Sequence, residues 1–435
     1  MSACDLIFDW NHWTRPCAKP THPVYLNDET LRDGLQSPSV TNPTIKMKLK
    51  LLHLMEALGI HGVTIGLPAA GGAHAKGVEA LAREIVKQKL SIRPNCLARA
   101  DPRDIRPIAE ISQRCGIPIE VVAFVGSSPI RFYAEGWNLD QLLKLTEDAV
   151  TFARKEGLPV MFGTEDTTRS APKTLRALFT TAIQCGAGAL AIADTVGHAT
   201  PEGARAITAF VREIVTEQGE PVRIDWHGHH DRGLSLINSL AAIEAGADRV
   251  HGTALGIGER VGNAAMDQLL VNLRLMGWID NDLSRLGEYC STAASACAVP
   301  IPYNYPVFGR DAFRTATGIH AAAIIKSYKK GDTDLADIVY SAVPAGLFGQ
   351  RQIIEIGPMS GKSNVIYWLE ERGIDPTSER VGLLFEAAKR SSSVLEEQEV
   401  MNLLRDATGA VLCAPQGGQA PSAYSAVAVA GGERL

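Results

Sequence analysis

The feature that most constrains this chain is a regular alternation, between residues 22 and 278, of short β-branched apolar runs with longer segments of helical period. Strand candidates fall at 24–27, 62–65, 92–97, 119–124, 159–162, 190–193, 222–227 and 249–252. Between them, helical spacing of apolar residues covers 44–58, 73–88, 139–156, 171–185, 201–218 and 234–245, with a last such segment at 264–276. This pattern predicts parallel strands joined by helical crossovers. Eight strands with about as many helices is the number at which such a sheet closes into a (β/α)8 TIM barrel. An open doubly wound sheet is the competing architecture, but it opens on a glycine-rich first turn. Here the first turn, Asp28-Glu29-Thr30-Leu31-Arg32-Asp33-Gly34, is dominated by charge.

Past residue 280 the strand signal stops, and helical stretches near 283–297, 311–326 and 363–406 predict a small, mainly helical C-terminal module. From about residue 409 the chain is Ala, Gly, Ser and Pro with little periodicity, the composition of a disordered tail. The expected organisation is an N-terminal extension (1–21), a catalytic barrel (22–280), helical linker subdomains (281–408) and the tail (409–435). Hydrophobic residues make up 46% of the 435 and charged residues 21%, enough apolar material for a barrel core and too much for a disordered chain. A net charge of −5 argues against nucleic acid or an anionic membrane surface as partner. No run of about 20 apolar residues exists to span a bilayer. The first residues, with Asp5, Asp9, Trp10 and Trp13, lack the basic start and apolar stretch of a signal peptide. Eight cysteines are scattered without a CxxC pair, so neither a disulfide framework nor a thiolate zinc site is expected, and the expected location is cytoplasmic.

In a TIM barrel the chemistry gathers at the C-terminal ends of the strands. The polar residues at those positions are Asp28, Glu29, Arg32, Asp33 and Gln36 after the first strand; Glu165, Asp166 and Arg169 after the fifth; Asp194 and Thr195 after the sixth; and His227, His229, His230 and Asp231 after the seventh. His227 and His229 stand at i and i+2 on a strand, hence on one face, where two imidazoles can meet on one divalent ion. Asp33 is the candidate carboxylate to complete the set. The plainer reading is that the two histidines only cap their strand. Arg32 reads either as a surface ion pair or as a fixed cation over a developing oxyanion. The turn Gly256-Ile257-Gly258-Glu259-Arg260-Val261-Gly262-Asn263 can hold a polar ligand on backbone N–H groups, although it does not fit GxGxxG. His320, taken alone, reads as a packed helical residue.

Leu31-Arg32-Asp33-Gly34-Leu35-Gln36 resembles the LRDGxQ signature of the DRE-TIM metallolyases, the family of 2-isopropylmalate, homocitrate and citramalate synthases and of HMG-CoA lyase. His227-Gly228-His229-His230-Asp231-Arg232-Gly233 resembles its HxHNDxG, with His230 in place of the asparagine. Phe162 to Ser170 resembles the synthases' FSxEDxxRS, and Asp194 to Pro201 their DTVGxATP. The Gly256–Asn263 turn is similar to their GxGERxGN, whereas the lyases carry a cysteine-containing loop there. Gly318-Ile319-His320, Tyr340 to Pro344 and Ser360-Gly361-Lys362 are similar to elements of the synthases' linker region. The stretch from Val122 to Pro129 departs from the HxFxATS of isopropylmalate synthases.

The resemblance implies an acyltransferase that condenses acetyl-CoA with a 2-oxo acid to give a 2-alkylmalate and CoA. The first expectation is 2-isopropylmalate synthase, a leucine-biosynthetic enzyme, with homocitrate synthase or citramalate synthase as alternatives. Further off stand an HMG-CoA-lyase-type cleavage enzyme and a non-catalytic binding subunit. It implies a divalent ion (Mg2+, Mn2+ or Zn2+) on Asp33, His227 and His229, and catalytic roles for Arg32, Glu165, His320 and Tyr340. Thr195, Gln36, Glu259 and Asn263 are implied to orient substrate. It further implies a homodimer in which His320 serves the partner's active site. The chain ends where leucine-regulated relatives begin a regulatory domain, so leucine control by that route is not expected.

Overall fold

The computed structural model describes residues 6–12 and 19–408; the tail expected at 409–435 and most of the N-terminal extension lie outside them. Eight parallel strands close into a barrel in sequence order, with the last pairing the first. They are β1 (Tyr25–Asp28), β2 (Gly62–Thr64), β3 (Arg93–Arg99), β4 (Glu120–Gly126), β5 (Val160–Glu165), β6 (Ala189–Asp194), β7 (Arg223–Gly228) and β8 (Arg249–Gly252). The chain is thus the TIM barrel that the alternation predicts. Strands β3, β4 and β5 run two or three residues past their predicted ends, to Arg99, Gly126 and Glu165.

The crossover helices are α1 (Ile45–Ala57), α2 (Gly72–Gln88), α3 (Pro102–Cys115), α4 (Pro129–Glu135), α5 (Leu139–Lys155), α6 (Pro172–Gln184), α7 (Pro201–Gln218), α8 (Ser235–Glu244) and α9 (Met266–Leu275). Their starts carry local signals. The Thr44, Asp101 and Thr200 side chains accept backbone N–H groups in the first turns of α1, α3 and α7, and Asn138 and Gln141 form a capping box on α5. Helix α3 was not among the sequence candidates because Pro107 lies inside it. The proline stands in the second turn and gives up one backbone bond, and the helix holds around Ile105, Ile108 and Ile111, all buried.

A further helix, α10 (Leu286–Cys297), packs on α1 and sends the Tyr289 hydroxyl to the carboxylate of Asp28. The compact barrel unit therefore extends from Asp9 to Ile301, beyond the 280/281 break set from sequence. The second unit contains α11 (Gly318–Lys329), α12 (Thr333–Ile338), α13 (Lys362–Glu371), α14 (Ser378–Arg390) and α15 (Glu397–Thr408). Arg314–Thr315 (β9) and Ile353–Ile354 (β10) pair as a two-stranded ribbon. Two small cores hold this unit: Ala321, Ile324 and Ile354 in one, and Val365, Trp368, Leu384 and Leu404 in the other. The helical stretch predicted over 363–406 is three helices, broken at Gly373 and at Ser391–Ser393. No described helix is long and apolar enough to cross a membrane.

Candidate metal centre

Inward-facing positions alternate along each strand, and two of them on β7 and its extension, His227 and His229, reach the C-terminal mouth. Asp33 comes from the turn after β1. Its Oδ2 lies 3.3 Å from His227 Nε2 and 3.6 Å from His229 Nε2, and the two Nε2 atoms are 3.3 Å apart. Ligand atoms sitting about 2.1 Å from one ion are separated by roughly 3–3.5 Å. The triangle therefore has the edges a divalent ion requires. Charge agrees with geometry. Burial holds the His229 imidazole down to about pKa 4, keeping it in the neutral form that ligates. Asp33 is held well below its ordinary range, because Arg32 and the two histidines outweigh its burial. Two buried polar atoms, His229 Nδ1 and Asn263 side-chain Oδ1, have no hydrogen-bond partner among the described residues, and the two residues form a β-bridge. The Asn263 carbonyl is thus a free oxygen donor of the kind hard cations accept. These residues fit a divalent ion.

Arg32 is locked in place. Its Nη2 is 2.6 Å and its Nε 2.8 Å from Glu29 Oε2, while Nη1 is 3.2 Å from Asp33 Oδ2 and donates to Gln36 Oε1 at 3.2 Å. Glu29 is in turn 3.2 Å from His251 Nδ1, and His251 Nε2 is 2.8 Å from Asp225 Oδ2. Asp225 accepts from Arg223 and Arg249. A buried charge ladder therefore runs down β1, β7 and β8 from the mouth to the base of the barrel. Sequence reading gave His251 and Asp225 no part in this. The available signal was a charged residue at every inward position of β7 and β8: Arg223, Asp225, His227, then Arg249, His251.

Elsewhere at the mouth, Glu165 Oε1 lies 3.1 Å from Arg131 Nε of α4, a partner the sequence did not indicate. Burial raises the Glu165 pKa, against the pull of Arg131. Thr195 Oγ1 accepts the Asp166 N–H at 2.8 Å, in a turn where Asp166 has φ +61° and is clamped by Arg169 through two 2.7 Å bonds. Glu259 is exposed, with its N–H 3.5 Å from Asp33 Oδ1. The glycines of its loop serve close packing: a Cβ on Gly262 would sit 1.8 Å from the Gly256 carbonyl oxygen. The barrel unit therefore gathers Arg32, Asp33, Gln36, His227, His229, Glu259 and Asn263, with Glu165 and Thr195 on neighbouring strand ends. His320 and Tyr340 belong to the other unit, where their rings lie 4.1 Å apart at 30° and both are exposed.

The depressed His229 pKa has a testable sign. Its unfolded value is near 6.5 and its folded value about 4, so the unfolded chain binds more protons between those limits. Metal-free protein is expected to gain stability as pH rises from 4 to 6.5, and His229→Gln to lose part of that gain. Urea midpoints across the window check it.

A (β/α)8 barrel whose mouth carries a two-histidine, one-carboxylate set beside a fixed arginine defines a class of metal-dependent barrel enzyme fold. Within that class the chain belongs to the HMGL-like family, which it matches over residues 23–292. It is 32% identical to homocitrate synthase AksA of Methanopyrus kandleri over 82% of this chain and 85% of the relative. It is 30% identical to 2-isopropylmalate synthase of Shouchella clausii over 88% of this chain and 73% of that one. The HMG-CoA lyase of Bacillus subtilis shares the fold, with a TM-score of 0.53 at 20% identity over 66% of this chain and 97% of the lyase.

Proposed function

We propose that the protein condenses acetyl-CoA with 2-oxoisovalerate, giving 2-isopropylmalate and CoA. The observation that carries this reading is the Asp33–His227–His229 triangle with Arg32 fixed against it. Similarity to homocitrate and 2-isopropylmalate synthases at about 30% identity supports the reaction class. A divalent ion on Asp33, His227 and His229 would supply Lewis acidity to a 2-oxo acid held through its carboxylate and keto oxygens. Arg32 stabilises negative charge as it develops on the keto oxygen. A proton leaves the acetyl methyl carbon, the new C–C bond forms to the keto carbon, the keto oxygen takes up a proton, and water then cleaves the thioester to release CoA. Glu165, His320 and Tyr340 form the acid–base set for these transfers. Gln36, Thr195, Glu259 and Asn263 orient the substrate, and the working form is a homodimer.

The choice of 2-oxo acid rests on the barrel interior below the mouth. Leu97, Val122, Met161, Ala189 and Ala191 pack together there across four strands. Phe124 and Gly163 continue the same inward faces toward the mouth. The mouth's nearby arginines are committed, Arg131 to Glu165 and Arg99 to Asp104. An apolar, cation-poor wall suits a branched alkyl side chain and leaves a second carboxylate without a partner. Similarity to AksA favours a second reading, homocitrate formation from 2-oxoglutarate. Thiol release separates them: kcat/KM for 2-oxoisovalerate is expected to exceed that for 2-oxoglutarate at least tenfold, and the reverse order overturns the substrate assignment.

A further inference from the structure

At the end of the barrel away from the metal centre, the N-terminal strand ends line an open cavity of about 960 Å3. TIM-barrel interiors are normally filled by layers of side chains. Here the lowest layer is charged. Glu120 accepts from Arg223 Nη2 at 2.8 Å and from Arg249 Nη2 at 2.9 Å, and Asp225 accepts from the Nε of both arginines. Two carboxylates thus neutralise two guanidiniums, and both Nη1 groups are left without a hydrogen bond among the described residues.

Two more arginines line the same cavity, Arg93 at the start of β3 and Arg154 near the end of α5. Neither has a carboxylate partner among the described residues; Arg154 donates only to the Leu158 carbonyl, at 3.2 Å. His61 adds a neutral donor: the Leu26 N–H points at its Nδ1 at 3.3 Å, which places the ring proton on Nε2. Burial, and then the positive charge of Arg249 and Arg93, hold its pKa below the ordinary histidine value. The rest of the wall is largely apolar, with Ile60, Ile92, Ile117 and Pro118, and Tyr25 edge-on to His61 at 4.8 Å.

We propose that this cavity is a binding site for an organic phosphate of nucleotide size, with its phosphoryl oxygens on Arg93 and Arg154 and its organic body against the apolar wall. Two uncompensated guanidiniums match a phosphoryl dianion, and planar N–H forks are suited to its oxygens. The volume lies at the upper end of the roughly 300–1,000 Å3 range of small-molecule sites, far more than an inorganic ion fills. The site shares no residue with the metal centre.

The test uses the full-length protein in EDTA, with ATP and pyrophosphate as probes, followed by isothermal titration calorimetry. ATP is expected to bind one site per chain and to remain bound at saturating acetyl-CoA. The Arg93→Gln/Arg154→Gln double variant should weaken both probes at least tenfold with its basal condensation rate unchanged. Tyr25→Ala should weaken ATP more than pyrophosphate, and Arg103→Gln, on the exposed face of α3, should leave both within twofold. Absence of ATP binding, binding untouched by the double variant, or displacement of ATP by acetyl-CoA would each overturn the proposal, the last by assigning ATP to the catalytic face.

Discussion

Replacing Asp33 with alanine is expected to abolish stoichiometric binding of a divalent ion and to lower CoA release at least ~10^3-fold, equivalent to about 4 kcal/mol of barrier. The carboxylate is the only anion in the three-atom set, and its Oδ2 is the corner shared by both histidine contacts and by Arg32. Its loss leaves the triangle with two imidazoles and no anion, while Glu29 stays committed to Arg32. His229→Ala should have an effect of the same order, since it removes the neutral donor that burial preserves. Glu259→Gln, at an exposed position whose side chain lies outside the triangle, should leave metal content unchanged. Metal analysis of the purified variants beside kcat/KM is the check. Full metal content in both triangle variants would refute the ligand assignment.

The largest stability effect is expected at Asp225. It is fully buried and accepts from Arg223, Arg249 and His251 at once. Asp225→Ala strands three donors in the barrel interior, and breaking a buried ion pair from one side typically costs about 3–5 kcal/mol. Asp148→Ala on the exposed face of α5, which removes the Lys144 pair, should cost no more than about 0.5 kcal/mol. Urea midpoints of the two variants compare them directly. Equal midpoints would mean that the ladder contributes nothing that solvent does not replace.

The barrel was legible in the sequence because each β-branched run and each helical segment is locally consistent with its place, as in Ile119–Phe124 and Pro201–Gln218. Helix α3 escaped because a proline inside a periodic segment usually ends it. At the mouth, His227 and His229 were readable from their i, i+2 spacing, but their meeting with Asp33 depends on strands β1 and β7 being placed across the barrel interior, which spacing alone does not encode. The Glu29–His251–Asp225 ladder was hidden for a related reason: a charged residue in a strand pattern reads as solvent-facing unless both faces of that strand are known to be covered. Arg131 was hidden because α4 is a short insertion between β4 and α5 with no buried residue of its own.

The most direct measurement is CoA release from acetyl-CoA and 2-oxoisovalerate by metal-stripped protein, before and after adding back Mg2+ or Mn2+, with the product identified by mass. No release from the stripped protein, and release on add-back with one 2-isopropylmalate formed per CoA, is the predicted result. Release that needs no divalent ion, or none from any of 2-oxoisovalerate, pyruvate, 2-oxoglutarate and oxaloacetate in the reconstituted protein, would contradict it.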